Sequence, residues 1–276
     1  MCILLNHFFI IKYNIMSNLK TTLLTNVYNE EYLLPFWLNH HKDMFDDIII
    51  INYYSTDKSM EICKNICPNC KIINTRNQNF GTIDIDNEFM DIECRIEGIK
   101  IVLNTTEFLI PECPIKDLFK DVSGRISYSI NAISPYSSNN YDIKNYNELF
   151  SNLFNPDIKY HNDRGVRQLH NCVNGNYKHG RHETYNYTIP NNKAHIIWFG
   201  FYPMNEIILQ RKLQVKTYIP QSDIDRRYGF QHFYDREKML SLNDEKSKTG
   251  VSFKEINPSL YNFLIINNKY NGGKYE

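Results

Sequence analysis

The apolar positions of residues 20–111 alternate between two textures. Lys20–Val27 (KTTLLTNV), Asp47–Ile51 (DIIII), Lys71–Asn74 (KIIN) and Ile99–Leu103 (IKIVL) are short apolar runs without strict alternation. Such runs predict strands covered on both faces, as in a parallel sheet. Between them the apolar residues recur at helical spacing. Glu31–Met44 places Leu33, Leu34, Trp37, Leu38 and Met44 on a stripe, with Pro35 in the first turn. Ser55-Thr56-Asp57 supplies capping chemistry for a second helix running through Cys67, and a third is expected over Asp86–Ile96. Strand and helix in alternation predict a βαβ series with right-handed crossovers. Ligands in such sheets gather beyond the carboxyl ends of the strands, here 26–30, 52–57, 74–80 and 104–107.

After Pro111 the pattern shifts to short strands with turns, Arg125–Ile133, Val166–Val173 and His195–Phe199. Helices over Met204–Lys216 and Asp235–Leu242 follow. No repeat or low-complexity linker divides the chain, so 17–111 and 112–276 read as two halves of one domain. The opening MCILLNHFFIIKYNI is apolar but interrupted by Asn6, His7 and Lys12. It is shorter than the roughly 20 residues a membrane span needs and lacks the marks of a cleaved leader. Residues 1–16 therefore read as a start-site artefact ahead of Met16 or a frayed extension, with a membrane-surface anchor as the alternative.

Composition narrows the function classes. Thirty-one basic residues balance 31 acidic ones, and 42% of the chain is hydrophobic. A protein that coats nucleic acid needs a basic excess, and a disordered acidic chain lacks this much apolar content. The basic stretch 205–238 is itself interrupted by Asp223, Asp225, Asp235 and Glu237. The seven cysteines form no regular framework, so free thiols and a cytoplasmic location are expected. Cys67-Pro-Asn-Cys70 lacks the second pair a zinc site would need.

Three blocks share a resemblance. Thr25–His41 (TNVYNEEYLLPFWLNHH) resembles the N-E-x-x-x-L-x-E-W-L-x-H-H opening of family-two-like glycosyltransferases. Ile50–Ser59 (IINYYSTDKS) is similar to their D-N-x-S-T-D-x-S segment, and Val102–Pro111 (VLNTTEFLIP) to their D-x-D-E-F-L-x-P segment. The blocks stand in order, each at the carboxyl end of an expected strand. The resemblance implies an α/β fold of the GT-A, nucleotide-diphospho-sugar transferase type. Its mostly parallel sheet would be flanked by helices, with a smaller acceptor-side half of short strands and C-terminal helices. On this reading 17–111 bind the nucleotide-sugar, 112–276 form the acceptor side, and the reaction moves a sugar from a nucleotide-diphospho-sugar to a glycan or protein acceptor. Asn26, Tyr28 and Asn29 would meet the base, and Glu30 the ribose unless it only balances the helix dipole. Asn52, Ser55, Asp57, Asn104 and Thr106 complete the donor side, with Ser55–Asp57 equally suited to capping.

The departures fall where charge matters. Asn52 replaces an aspartate, and Asn104 and Thr106 replace the two aspartates of D-x-D; only Glu107 remains. Mg²⁺ and Mn²⁺ prefer hard anionic oxygens, so this loop is a poor metal site. One repair recruits Glu107 with His232, or the acidic stretch Asp84–Glu93, as ligands. The other lets cations, Arg211, Lys212 and Lys216, neutralise the diphosphate directly. Glu107, Asp163 and Glu183 are the candidate catalytic carboxylates. The segment His179–Glu183 has two histidines but no third zinc ligand fixed by spacing. Trp198–Pro203 reads as a sugar platform or as core. The alternative to a transferase is a binding module that keeps the fold and pocket without turnover.

Overall fold

The computed structural model describes residues 19–229 and 232–267. The expectation for residues 1–16 lies outside the described residues. Strands β1 (Thr21–Val27), β2 (Asp47–Asn52), β3 (Lys71–Asn74) and β4 (Ile99–Val102) pair in parallel in the order β3-β2-β1-β4. They are joined by helices α1 (Leu34–His41), α2 (Ser59–Ile66) and α3 (Thr82–Glu93). Leu23 and Leu24 point to opposite faces of the sheet, and both are fully buried. Covering on both faces is why β1 shows no alternation. Leu23 joins Trp37, Ile50 and Ile101 on one side; Leu24 joins Ile51, Phe89 and Val102 on the other.

The remaining strands are β5 (Glu107–Pro111), β6 (Ser127–Tyr136), β7 (Lys159–His161), β8 (Val166–His170) and β9 (Thr188–Trp198). They extend the sheet past β4 in the order β8-β6-β9-β5, with β7 paired to β6. β8 runs antiparallel to β4 and β6, and β9 runs parallel to β6. Helices α4 (Tyr146–Ser151), α5 (Glu206–Gln214), α6 (Gln221–Arg226), α7 (Arg236–Thr249), α8 (Phe253–Ile256) and α9 (Pro258–Ile266) complete the chain. The result is an α/β fold in which helices flank a sheet that is parallel in its first four strands.

Two details place the site. The chain moves outward from β1 to β2 and β3, then returns to β4 on the other side of β1. That reversal makes the β1–β4 boundary a switch point, where a crevice opens beyond the strand ends. The register carries β1 three residues past Leu24, the partner of Val102, while the chain after β4 turns away. The Trp-x-x-His-His segment clamps this corner. Trp37 Nε1 donates to the Glu107 carbonyl at 2.9 Å, and Leu109 N donates to His41 Nε2 at 3.2 Å. Burial, together with neighbouring His40, holds His41 well below the usual imidazole range, as an accepting ring requires.

The structure differs from the sequence expectation at several ends. Helix α1 starts at Leu34 rather than Glu31, and α3 starts at Thr82, four residues early. The D-x-D-like segment runs straight into strand β5, whose pairing with β9 the local pattern did not announce. Helix α7 continues to Thr249, and α8 and α9 follow where no helix was expected. The expectation of free thiols is corrected at one pair: Cys67 and Cys70 are bridged, because the turn ending α2 brings their Cα atoms to 5.4 Å. Among the described residues, no helix is long and apolar enough to cross a membrane.

Candidate functional site

A cleft of about 720 Å³ opens at the switch point. Asn26, Tyr28 and Glu30 line it from the loop after β1, and Asn104, Thr105 and Thr106 from the loop after β4. Arg164, Arg167, Arg181 and His182 form its inner wall; Trp198, Phe201, Arg211, Lys212 and His232 form the side contributed late in the chain. Of the donor-side residues expected from the sequence, the cleft thus gathers Asn26, Tyr28, Glu30, Asn104, Thr106, Arg211 and Lys212.

The loop after β4 is committed to internal partners. Glu107 is fully buried, and Arg167 grips it through Nη2–Oε1 at 2.6 Å and Nε–Oε2 at 2.9 Å. Arg164 Nη2 adds 3.3 Å to Oε1, and Asn104 N donates to Oε2 at 2.8 Å. Burial alone would raise this carboxyl, but Arg167 and Arg164 outweigh it and hold it at about 2. Asn104 Oδ1 accepts from Arg181 Nη2 at 3.0 Å, and Thr106 Oγ1 accepts from Trp198 Nε1 at 3.0 Å. Arg181 is itself anchored by Asp86 at 2.5 Å.

This donor set does not fit a divalent cation. An arginine already occupies the amide oxygen of Asn104, an indole N–H the hydroxyl of Thr106, and two guanidiniums the carboxylate of Glu107. A metal here would meet the guanidiniums of Arg164, Arg167 and Arg181 at the same oxygens. Glu107, expected from the sequence as metal ligand and catalytic group, stands here as the buried counter-ion of Arg167 and Arg164. His232 lines the cleft, where burial, then Lys212, Arg164 and Arg211, pull it down to about 3. Among the described residues, no group of three or more His, Cys, Asp or Glu could hold a metal ion. The acidic stretch of α3 is likewise turned to other uses: Asp86 holds Arg181, Glu88 receives Tyr53 Oη at 2.8 Å, and Glu93 receives Tyr177 Oη at 2.7 Å.

The first loop is shaped from behind. Asn29 takes a left-handed conformation (φ 49°), and its Oδ1 accepts from Thr56 N at 2.8 Å. Asn29 N donates to Ser55 Oγ at 3.1 Å, Glu31 N to Asp57 Oδ2 at 3.0 Å, and Ser55 N to Asn52 Oδ1 at 2.9 Å. Asn29, Ser55 and Asp57 brace the two strand-end loops against each other, and Asn52 braces the second loop from within; none of the four lines the large cleft. Glu30, by contrast, faces it and pairs through both oxygens with Arg211. Tyr28 lies edge-on to Phe80 and Tyr218, with ring centroids 5.1 and 5.2 Å away. These three rings border a smaller hollow of about 130 Å³ shared with Tyr53, Tyr54 and Asn77.

The candidate bases separate. Asp163 lines the cleft, its Oδ2 receiving Tyr136 Oη at 3.2 Å and Lys246 Nζ at 3.0 Å. Glu183 lies outside the cleft on the surface, paired with Lys178 at 2.5 Å. Lys216 is exposed and lies outside the lining residues. Lys212 is buried in the cleft wall, its ammonium 3.8 Å from the Phe201 ring centre and 5.3 Å from that of Trp198. Arg164 stacks over Trp198 at 4.6 Å. The aromatic run at 198–203 therefore serves as core and as a floor for cations.

Sequence reasoning named none of Arg164, Arg167 and Arg181 as a site residue. Their partners lie far along the chain, and a scattered arginine carries no periodic signal.

No protein-family model matches the chain, and no curated protein matches it. Among solved structures, S. aureus TarS 1–349 in complex with UDP is similar over 46% of this chain and 38% of its own, with 15% identity and a TM-score of 0.33. A structure of S. aureus TarS is similar over 41% of this chain and 22% of its own, with 15% identity and a TM-score of 0.31. Glucosyl-3-phosphoglycerate synthase from Mycobacterium tuberculosis, in complex with Mn²⁺, uridine-diphosphate and glucosyl-3-phosphoglycerate, is similar over 42% of this chain and 46% of its own, with 11% identity and a TM-score of 0.31. The chain spans less than half the length of each of these structures.

Proposed function

We propose that this protein is a GT-A-type glycosyltransferase that binds a nucleotide-diphospho-sugar without a divalent metal and transfers the sugar to an acceptor hydroxyl. The observation that supports this most is Arg181 on Asn104. Where the related motif has an aspartate for a metal, this chain has an amide that accepts from a fixed guanidinium. Arg181 and Arg211 then supply the fixed positive charge a leaving diphosphate needs, from positions that need no reorganisation during reaction, with the Lys212 amine in the same cleft wall. Tyr28, Phe80 and Tyr218 supply flat apolar surface for the base at the same end of the sheet. Asp163 is the proposed general base: it takes the acceptor proton as the hydroxyl oxygen bonds to the anomeric carbon and the bond to the diphosphate oxygen breaks.

A second reading rests on the pairing of the acids. Glu30 is held by Arg211, and Asp163 by Lys246. A cleft whose carboxylates are neutralised in this way also suits a module that binds nucleotide-sugar without turnover. A panel of nucleotide-diphospho-sugars with simple glycan acceptors, assayed for binding and for release of nucleoside diphosphate, separates the readings. Release supports the transferase, binding without release supports the module, and absence of binding across the panel removes both.

A further inference from the structure

Lys212 differs from every other cation of the cleft. Arg167 and Arg164 share Glu107, Arg181 has Asp86, Arg211 has Glu30, and Lys246 has Asp163. Lys212 is buried, and among the described residues no oxygen accepts a hydrogen bond from its amine. Its surroundings are the faces of Phe201 and Trp198.

The charged groups around it are mostly cations. On α5 its neighbour is Arg211; the loop after β1 contributes Glu30; the segment before β8 contributes Asp163 and Arg164. Lys246 of α7, His232, Asp223 of α6, and Arg167, His179, Arg181 and His182 also line the cleft. Glu30 is the acid that favours charge on Lys212, and both its oxygens already belong to Arg211. The two ring faces favour an ammonium, while burial and the guanidiniums of Arg211 and Arg164 disfavour it.

We propose that Lys212 is a proton-coupled anion receptor: its amine is uncharged in the empty cleft and gains a proton when a phosphate-like dianion binds beside it. The direction of its titration agrees, since burial, then Arg211 and Arg164, hold the amine well below the ordinary lysine range. An arriving dianion counteracts both causes of that depression, by offering the buried amine an acceptor and by offsetting the guanidiniums. Anion affinity then depends on pH through this one amine in a range where histidines are already neutral. The inference extends the diphosphate role of the cleft, but it requires only an anion of that class.

The test uses sulfate, which stays a dianion throughout, titrated at fixed ionic strength between pH 7.5 and 9.5 and followed by thermal shift. The folded chain is expected to lose affinity about tenfold per pH unit once the amine deprotonates. Lys212→Arg, permanently charged, is expected to bind sulfate with no such slope, and Lys212→Met to lose the sulfate response. A wild-type affinity that is flat across this range overturns the proposal, as does absence of sulfate binding down to pH 6. Undiminished binding by Lys212→Met overturns it as well. A pH slope with sulfate in a protein that ignores every nucleotide-sugar would uphold the receptor and remove the transferase reading, so the two fail separately.

Discussion

Glu107 and Arg167, 60 residues apart in sequence, meet as a fully buried two-point ion pair at 2.6 and 2.9 Å. The pair joins the first residue of β5 to β8 and fixes the back wall of the cleft. Breaking a buried pair from one side leaves an uncompensated charge, which costs about 3–5 kcal/mol. Glu107→Gln is therefore expected to lower unfolding free energy by about that amount in urea titrations near neutral pH. An unfolding midpoint equal to wild type would show that the pair contributes little.

The same pair has a pH signature. The folded carboxyl sits at about 2, below its ordinary value of 4.5. A depressed carboxyl contributes stability that is fully present above 4.5 and lost as pH falls through 2. The stability gap between wild type and Glu107→Gln is expected to narrow steadily as pH drops across that window. A gap that stays constant down to pH 2 would place the stabilisation elsewhere.

Restoring the missing aspartates should not restore a metal. In Asn104→Asp with Thr106→Asp, the first new carboxylate meets Arg181 and the second lies against the Trp198 indole. The double variant is expected to show no Mn²⁺ binding by calorimetry. Stoichiometric Mn²⁺ uptake would mean that the arginine wall yields to a cation.

What was legible in the sequence follows from what is local. The runs at 20–27, 47–51, 71–74 and 99–103 announced four covered strands because each is buried on both faces, and their carboxyl ends located the cleft. The blocks around Asn26–Glu30 and Asn104–Thr106 placed two of its walls. Asn52, Ser55 and Asp57 look the same in sequence whether they touch a ligand or brace a loop, and here they brace. The inner wall was hidden for a different reason. Arg181 reaches Asn104 across 77 residues and Asp86 across 95, and only the topology that brings β8 beside β4 makes those contacts possible.

The base end of the cleft predicts its own effect. Tyr28 and Tyr218 lie 190 residues apart in sequence and meet edge to face at 5.2 Å. Aromatic contact with a base is worth about 1–3 kcal/mol, so Tyr28→Ala and Tyr218→Ala are each expected to weaken nucleoside diphosphate binding about 5- to 150-fold. Sulfate binding should be unaffected. Equal loss of both ligands would mean that the rings support the fold of the cleft rather than the base.

Asp163 separates chemistry from binding. Asp163→Asn is expected to retain donor affinity while lowering kcat about 10²- to 10⁴-fold, the usual range for losing a general base. Loss of donor affinity with kcat preserved would move the base elsewhere.

The central claim is that fixed cations do the work of a metal. Its most direct test is the Kd of a nucleotide-diphospho-sugar measured by calorimetry in EDTA and again in millimolar Mn²⁺. Equal affinity in both, lost on Arg181→Met, is the result this account predicts. Binding that requires Mn²⁺ would contradict it.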